Sequence, residues 1–162
     1  MTPQDSCAAL ARLLPQRGWM MASAESCTGG LIAAACTDLA GSSVWFERGF
    51  VTYSNAAKSE LLGVAPQLIA QHGAVSEAVA RAMALGALRH SQAQVALAVT
   101  GIAGPGGGTP DKPVGLVFVA VAGPRGECVQ RMLLDGDRDA IRRQAADAAL
   151  RMLLAAVTEH AV

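Results

Sequence analysis

The sequence predicts an α/β fold, a three-layer α/β/α sandwich built on a mixed, mostly parallel sheet. Apolar strand-like runs alternate with helical segments along the chain, as expected when helices cover both faces of a sheet. The last two strand-like runs are separated by a short turn and predict a hairpin, which makes the sheet mixed. With 162 residues, 52% of them hydrophobic, residues 1–162 are expected to form a single domain.

The first helix and strand lead into the most unusual motif of the chain. Thr2 followed by Pro3 resembles an N-cap with proline at the first helical position, and leucines supply an apolar face until Pro15 and Gly18. A short strand then leads into "AESCTGG". From Thr28, the small and apolar segment "TGGLIAAACTDL" predicts a helix packed against the sheet.

The middle of the chain continues the alternation of strands and helices. "VWFERGFVTYS" is rich in β-branched and aromatic residues and predicts a strand, and Asn55 is a candidate cap for the helix "AAKSELLG". Two helices follow, around 66–71 and over 76–90. "VALAVTG" is a continuous apolar run typical of a buried strand, and it leads into "IAGPGGGTPDKP", which lacks apolar periodicity and is expected to form a surface or site loop.

The end of the chain predicts a hairpin and a long helix. "VGLVFVAVAG" and "ECVQRMLL" flank the turn "PRG" and form the two strands. The apolar stripe of the last helix consists of Ile141, Ala145, Ala149, Met152 and Ala156.

Composition argues against several classes of protein. Lys plus Arg and Asp plus Glu both number 13 and aromatic residues make up 4%, so nucleic acid is not an expected partner. No apolar run approaches the roughly 18 residues of a membrane span, and the N-terminus lacks a signal-peptide pattern, so we expect a cytoplasmic protein with no membrane partner. The four cysteines form no CxxC pair and the three histidines stand far apart, so neither disulfides nor a metal site are expected.

Two adjacent residues, Ser26 and Cys27, are candidate nucleophiles at the predicted strand-to-helix junction. Free N–H groups and the positive end of a helix dipole stabilise an anion at such a junction. The same location lowers the pKa of a thiol, which makes Cys27 a second candidate. The sequence alone leaves open that Ser26 or Thr28 caps the helix and that Cys27 is a small core residue.

Tyr53 and Lys58, in "YSNAAK", are further candidates for a site. Short-chain dehydrogenases use a Tyr/Lys pair four residues apart on one helix, but five residues would turn these side chains about 140° away from each other. That analogy therefore fails, and a solvated lysine and a half-buried strand tyrosine remain alternatives.

The glycine-rich segment "TGIAGPGGGTP" contains no nucleotide-binding fingerprint. GxxxxGK[ST] is absent, Thr109 stands where the last glycine of GxGxxG would be, and Pro110 and Pro113 prevent the helix that should follow. The loop either places backbone amides around a phosphate or is a flexible connector.

Three long segments resemble one known family. These segments are "AESCTGGLIAAACTDLAGSSVWFERGFVTYSNAAKSELLGV", "GAVSEAVARAMA" and "AVTGIAGPGGGTPDKPVGLVFVAV". In the same order they resemble the CinA C-terminal domain family (competence/damage-inducible proteins), whose characterised activity is nicotinamide mononucleotide (NMN) amidohydrolase. The resemblance implies a three-layer sandwich that hydrolyses the carboxamide of NMN without a cofactor and associates as a homodimer or larger homo-oligomer.

The resemblance also implies roles for particular residues. Ser26 would be the nucleophile, with Lys58 as its base and Tyr53 orienting or relaying the proton. A lysine serves as a base only if its pKa falls well below about 10.4, and the substrate's pyridinium would contribute to this as a neighbouring cation. The amides of Cys27, Thr28 and Gly29 would hold the oxyanion. The expected substrate-binding residues are Gly30, Thr100, Gly101, Gly104, Arg138 and Arg142.

Of the two arginines, Arg138 is the first choice for a phosphate contact, because family members resemble this chain in carrying an arginine after "GD". Arg142 is the second choice, and an ion pair of Arg138 with Asp135 or Asp139 is the structural alternative. Two other functions remain open. One is a nucleotide-binding module without catalysis, and the other is a thiol-dependent amidase that uses Cys27.

Overall fold

The computed structural model describes residues 1–162 and contains every predicted strand and helix. The elements are α1 (Pro3–Gln16), β1 (Met21–Glu25), α2 (Leu31–Thr37), β2 (Phe46–Val51), α3 (Asn55–Leu62), α4 (Pro66–His72), α5 (Glu77–Arg89), β3 (Val95–Gly101), β4 (Leu116–Gly123), β5 (Gly126–Leu133) and α6 (Arg138–Thr158). A short 3₁₀ turn, Ser42–Val44, precedes β2. None of the helices combines the length and apolar composition needed to span a bilayer.

The five strands form one mixed sheet in the order β2-β1-β3-β4-β5. β1 pairs in parallel with β2 and β3, whereas β4 is antiparallel to both β3 and β5. All strands except β4 therefore run in the same direction. The predicted mixed, mostly parallel sheet is confirmed.

Two hydrophobic clusters cover the two faces of the sheet, as the predicted sandwich requires. The larger contains 24 buried residues and joins the sheet to α1, α2 and α6. The smaller contains 14 buried residues and joins the opposite face to α3, α4 and α5. We refer to the part of the sheet beneath α5 as the alanine floor, which consists of Ala22, Ala24, Ala96, Ala98, Ala120 and Ala122. Because these side chains are single methyl groups, α5 lies close to the strands.

Several element boundaries differ from the prediction. α2 begins at Leu31 instead of Thr28, because Gly29 and Gly30 adopt positive φ angles of 59° and 108° and form a turn. Ser54, not Asn55, caps α3 by accepting a hydrogen bond from the N–H of Ala57 at 3.0 Å. β2 ends at Val51, so Tyr53 lies in the link between β2 and α3.

The carboxyl ends of three parallel strands meet at one edge of the sheet. Glu25 at the end of β1 pairs with Val51 of β2 and with Val99 of β3. The helix after β1 lies on one face of the sheet and the helices after β2 lie on the other. A crevice outside the carboxyl ends of strands at such a reversal is where open α/β sheets bind ligands.

Candidate active site

Ser26 follows β1 directly and is held at the edge of the sheet. Its N–H donates to the carbonyl oxygen of Val99 at 3.0 Å, which continues the pairing of β1 with β3 by one residue. Ser26 is 8% exposed, and its Oγ lies 2.9 Å from the Nζ of Lys58. The structure therefore joins two residues that are 32 positions apart in the sequence.

Lys58 is a buried amine without an ion-pair partner. It lies on α3 and is 1% exposed, and its Nζ donates to the carbonyl oxygens of Thr52 and Tyr53 at 2.8 and 3.2 Å. No carboxylate is paired with it. Burial lowers the pKa of Lys58 from its usual value, because removal from water disfavours the ammonium form. The expectation of a solvated lysine is wrong.

The geometry around Nζ accommodates both protonation states, because a charged Nζ can donate to all three neighbouring oxygen atoms. A neutral lysine has two N–H bonds and one lone pair, and the carbonyls of Thr52 and Tyr53 accept the two N–H bonds. The third direction leads to Ser26 Oγ, so the lone pair of the amine can accept the proton of the hydroxyl. Protonation would replace that lone pair with a third donor.

The thiol of Cys27 lies in the hydrophobic core beside Ser26. Burial raises the pKa of Cys27 to about 11 and outweighs the opposing effects of Arg142 and Lys58. The expectation that the junction lowers the pKa of this thiol is wrong, because the sulfur is buried in the larger hydrophobic cluster. At neutral pH Cys27 is a protonated, weakly nucleophilic thiol.

The turn formed by residues 26–30 leaves two backbone amides free. The N–H of Gly29 donates to the carbonyl oxygen of Ser26 at 3.1 Å, so this predicted oxyanion donor is already occupied. The N–H groups of Cys27 and Thr28 donate to no oxygen atom of the protein. Cys27 is 5% exposed, whereas Thr28 is fully buried.

Glu25, a residue that sequence reasoning missed, caps α2 from inside the protein. Its fully buried carboxylate accepts hydrogen bonds from the N–H groups of Gly30, Ile32 and Ala33 at 3.2, 2.9 and 3.1 Å. Neither Ser26 nor Thr28 makes a capping hydrogen bond, and the capping interpretation is wrong for both. An acidic residue just before a predicted helix was the available signal, since carboxylates stabilise helix N-termini.

The two candidate arginines lie one turn apart on α6 and make different contacts. Arg138 Nη1 donates to the carbonyl oxygen of Gly104 at 2.8 Å, and Nη2 donates to the hydroxyl of Tyr53 at 3.0 Å. Arg138 forms no ion pair with Asp135 or Asp139, and Asp139 pairs with Arg143 at 2.8 Å. Arg142 instead donates to the carbonyl oxygens of Cys27 and Thr28.

Ser26, Lys58 and Arg138 lie around one cavity of about 200 Å³. Its lining consists of Ser26, Cys27, Tyr53, Asn55, Lys58, Ala74, Val75, Thr100, Gly101, Ala103 and Arg138. The hydroxyl of Thr100 donates to the carbonyl oxygen of Ala74 at 2.9 Å and so ties β3 to the segment before α5. A larger groove of about 520 Å³ between α1, α2 and α6 contains no serine, cysteine or lysine.

Comparison with known proteins places this arrangement in a family. Residues 4–157 match the CinA C-terminal domain. The chain belongs to the CinA C-terminal domain family. A CinA-family structure, the crystal structure of competence/damage inducible protein CihA from Agrobacterium tumefaciens, superimposes with a TM-score of 0.92 at 46% identity and covers 94% of each chain.

Curated relatives of this CinA C-terminal domain fall into two size classes. The chain is 55% identical over 141 residues to nicotinamide-nucleotide amidohydrolase PncC of Escherichia coli K12, and the aligned region covers 86% of each protein. It is also 55% identical over 145 residues to a CinA-like protein of Geobacter sulfurreducens, covering 90% of this chain and 35% of that protein. The chain thus spans about a third of the length of the longer relatives.

The predicted site residues of this CinA domain do not all contact the cavity. Gly30 and Gly104 contribute through backbone groups, the first donating to Glu25 and the second accepting from Arg138. Neither they nor Thr28, Gly29 and Arg142 line the cavity. Asn55 and Val75 do line it, and no sequence pattern had singled out either as a site residue. No three His, Cys, Asp or Glu side chains are grouped so as to bind a metal ion.

Proposed function

We propose that the chain is a nicotinamide-nucleotide amidohydrolase that converts NMN to nicotinate mononucleotide and ammonia, with Ser26 as the nucleophile. The observation that carries the proposal is the 2.9 Å contact between Ser26 Oγ and a buried, unpaired Lys58 Nζ. The name of the E. coli relative supports the reaction. The raised pKa of Cys27 argues against the thiol-dependent alternative.

Acylation begins with attack of Ser26 Oγ on the carboxamide carbon. The hydroxyl proton moves to the lone pair of neutral Lys58 as the new C–O bond forms. The tetrahedral intermediate then breaks its C–N bond, and Lys58 returns the proton to the leaving nitrogen, which departs as ammonia. The pyridinium charge of NMN further disfavours protonated Lys58, since like charges repel.

Deacylation repeats the same proton transfers with water. Lys58 takes a proton from a water molecule, whose oxygen attacks the carbonyl carbon of the ester on Ser26. Collapse of the second intermediate breaks the C–O bond to Ser26, and Lys58 returns the proton to Oγ. The product is a carboxylic acid, which gives its proton to the solvent and leaves as a carboxylate, and the enzyme regains its starting protonation state.

The free amides of Cys27 and Thr28 are the proposed oxyanion hole. Both belong to the turn that carries Ser26, and neither donates to an oxygen atom of the protein. Only Cys27 lines the cavity, so the N–H of the buried Thr28 must become accessible when the substrate binds. Removing one such donor typically costs about 10²- to 10³-fold in kcat. Gly29, whose N–H is bonded to Ser26, is left out of this role.

Arg138 is the proposed phosphate ligand, at the rim of the cavity. A volume of about 200 Å³ is smaller than the roughly 300–1,000 Å³ of most small-molecule sites. We therefore place the carboxamide-bearing ring inside and the ribose phosphate toward Arg138 and the glycine-rich loop. Arg138 makes no ion pair with Asp135 or Asp139, so its charge is available to a phosphate.

Tyr53 is proposed to act through two contacts. Its carbonyl oxygen accepts one N–H of Lys58, and its hydroxyl accepts from Arg138. The side chain is 61% exposed, and no hydrogen bond joins its hydroxyl to Ser26 or Lys58. These contacts support a role in placing Lys58 and Arg138 more than a role in proton relay.

Residues 1–162 are proposed to carry this activity as a single domain. Support comes from the E. coli relative, because the matched region makes up 86% of that protein. The four free cysteines agree with the proposed cytoplasmic location, where thiols stay reduced. Assembly as a homodimer or larger homo-oligomer is proposed from the family resemblance and is tested by size-exclusion chromatography with light scattering.

Ammonia release from NMN tests the proposed function. Purified protein is assayed with NMN, NAD and nicotinamide, with and without EDTA, and with the Ser26→Ala variant as the matched control. We expect release from NMN that EDTA leaves unchanged and that the variant lacks. Binding of NMN without ammonia release would favour a non-catalytic nucleotide-binding module.

A further inference from the structure

Arg142 contacts the back of the turn that carries Ser26. Its Nε donates to the carbonyl oxygen of Cys27 at 2.9 Å, and its Nη2 donates to the carbonyl oxygen of Thr28 at 3.2 Å. It does not line the cavity and forms no ion pair. Its guanidinium is therefore committed to two peptide groups beside the nucleophile.

We propose that Arg142 is a positioning residue that sets the orientation and donor strength of the oxyanion-hole amide of Thr28. The inference rests on the proposed function and assigns Arg142 a role other than phosphate binding. Within a trans peptide the C=O and N–H point in opposite directions. A donor that fixes the carbonyl of Cys27 on one side therefore fixes the N–H of Thr28 on the other.

The two free amides are oriented by two different contacts. The carbonyl of Ser26 accepts from the N–H of Gly29 at 3.1 Å, and this local bond orients the peptide that ends in the N–H of Cys27. No backbone donor reaches the carbonyl of Cys27, so Arg142 alone holds the peptide that ends in the N–H of Thr28. The first amide is positioned by the turn itself and the second by α6.

The charge of Arg142 adds an electrostatic effect to this orientation. A hydrogen bond from a cation to a carbonyl polarises the whole peptide group and makes its N–H a stronger donor. The guanidinium also lies close to the turn, since a Cβ on Gly29 would be 3.1 Å from Nη2. A positive φ of 59° and this contact both favour glycine at position 29.

The experiment compares Arg142→Ala and Arg142→Lys with Arg143→Ala as the matched control. Arg143 is the next residue on α6, and it is exposed and paired only with Asp139. One readout is steady-state hydrolysis of NMN. The other is the rate at which a fluorophosphonate modifies Ser26, a reaction that uses the same nucleophile and oxyanion hole without a nucleotide.

We expect Arg142→Ala to lower kcat about 10- to 100-fold, somewhat less than deletion of an oxyanion donor, while KM changes by less than about threefold. The fluorophosphonate rate should fall by a similar factor. Added guanidinium ion, at a non-denaturing concentration, should restore part of both rates, whereas sodium chloride at equal ionic strength should not. Arg142→Lys should keep part of the activity, since an ammonium can reach one of the two carbonyls.

Two outcomes would overturn the proposal. One is a raised KM with unchanged kcat and labelling, which would make Arg142 a substrate ligand, and the other is loss of activity that neither lysine nor guanidinium restores. If circular dichroism shows that Arg142→Ala does not fold, Arg142→Lys is used instead. A lower kcat with an unchanged KM in that variant supports the positioning role, and a raised KM with an unchanged kcat overturns it. If the wild type reacts with fluorophosphonate but releases no ammonia from NMN, the proposed function fails, and the labelling rates still decide the role of Arg142.

Discussion

Replacing Lys58 tests the proposed chemistry most directly. Lys58→Arg supplies a permanently positive, donating side chain and removes the possibility of a neutral base, because guanidinium stays protonated. Lys58→Met keeps the approximate length and removes the lone pair and both donors. The chain has one other lysine, Lys112, which is half-buried, lies outside the cavity and donates to the carbonyl of His72. Lys112→Met is therefore the matched control.

The structure gives the expected size of these effects. Loss of a general base costs about 10²- to 10⁴-fold in rate, and both Lys58 variants should show such a loss. Lys58→Met also leaves the buried carbonyl of Thr52 without its donor, which costs about 1–3 kcal/mol of unfolding free energy. The carbonyl of Tyr53, an exposed residue, can turn to water instead.

The sign of the pH dependence follows from the lowered pKa of Lys58. For activity, kcat/KM should rise with pH through the pKa of Lys58 in the free enzyme, at a pH below the ordinary value of 10.5. For stability, the unfolded chain binds more protons than the folded one between the folded-state pKa and 10.5. The free energy of unfolding should therefore rise with pH across that window in the wild type, and this rise should be absent in Lys58→Met.

The assays are ammonia release and urea unfolding, each measured from acidic to alkaline pH for the three variants and the wild type. Retained activity in Lys58→Arg together with inactive Lys58→Met would refute the role of base and show that a fixed charge suffices. A pH profile with no ascending limb would refute a lysine that must lose its proton.

Three other substitutions separate the roles of neighbouring residues. Ser26→Ala should lower kcat by several orders of magnitude, whereas Cys27→Ala should keep most activity because alanine retains the backbone N–H. The reverse pattern in folded variants would establish thiol chemistry. Arg138→Ala should raise KM for NMN by roughly 10- to 100-fold, which corresponds to the loss of a charge-assisted hydrogen bond of about 1.5–3 kcal/mol. Hydrolysis of nicotinamide riboside, which lacks the phosphate, should be unaffected. Equal losses on both substrates would make Arg138 structural. Glu25→Gln should lower the free energy of unfolding by about 1–3 kcal/mol, because an amide NH₂ would face backbone N–H donors. Urea unfolding curves that coincide with those of the wild type would show that the carboxylate is not needed.

Local patterns were sufficient to predict the elements of the fold but not the contacts of the site. Thr2 and Pro3 start α1 as expected, because a cap depends on residues within one turn. The strand order could not be predicted, since pairing depends on residues far apart in the sequence. The predicted start of α2 was wrong because Gly29 and Gly30 adopt left-handed conformations. Glu25, at the end of the preceding strand, stabilises this turn by accepting a hydrogen bond from the N–H of Gly30.

The electrostatic properties of the site required the fold. The location of Cys27 next to a predicted helix favoured a lowered pKa, but the surroundings of its sulfur, which determine the actual direction, come from α6 and β3. The same holds for Lys58, whose burial depends on contacts with Ser26 and Thr52. The resemblance to a family singled out both residues as parts of a site, and the structure shows that both line one cavity, which no local pattern could reveal.

The alanine floor links the size of the cavity to residues that no substrate contacts. Ala24 and Ala98 lie near the carboxyl ends of their strands and determine how closely α5 packs against the sheet. The segment just before α5 contributes Ala74 and Val75 to the wall of the cavity, and Thr100 ties it to β3. A single added methylene in the floor would lift this wall outward. Over evolution, relatives that keep the proposed catalytic residues can therefore acquire different ligand sizes through changes in the packing layer.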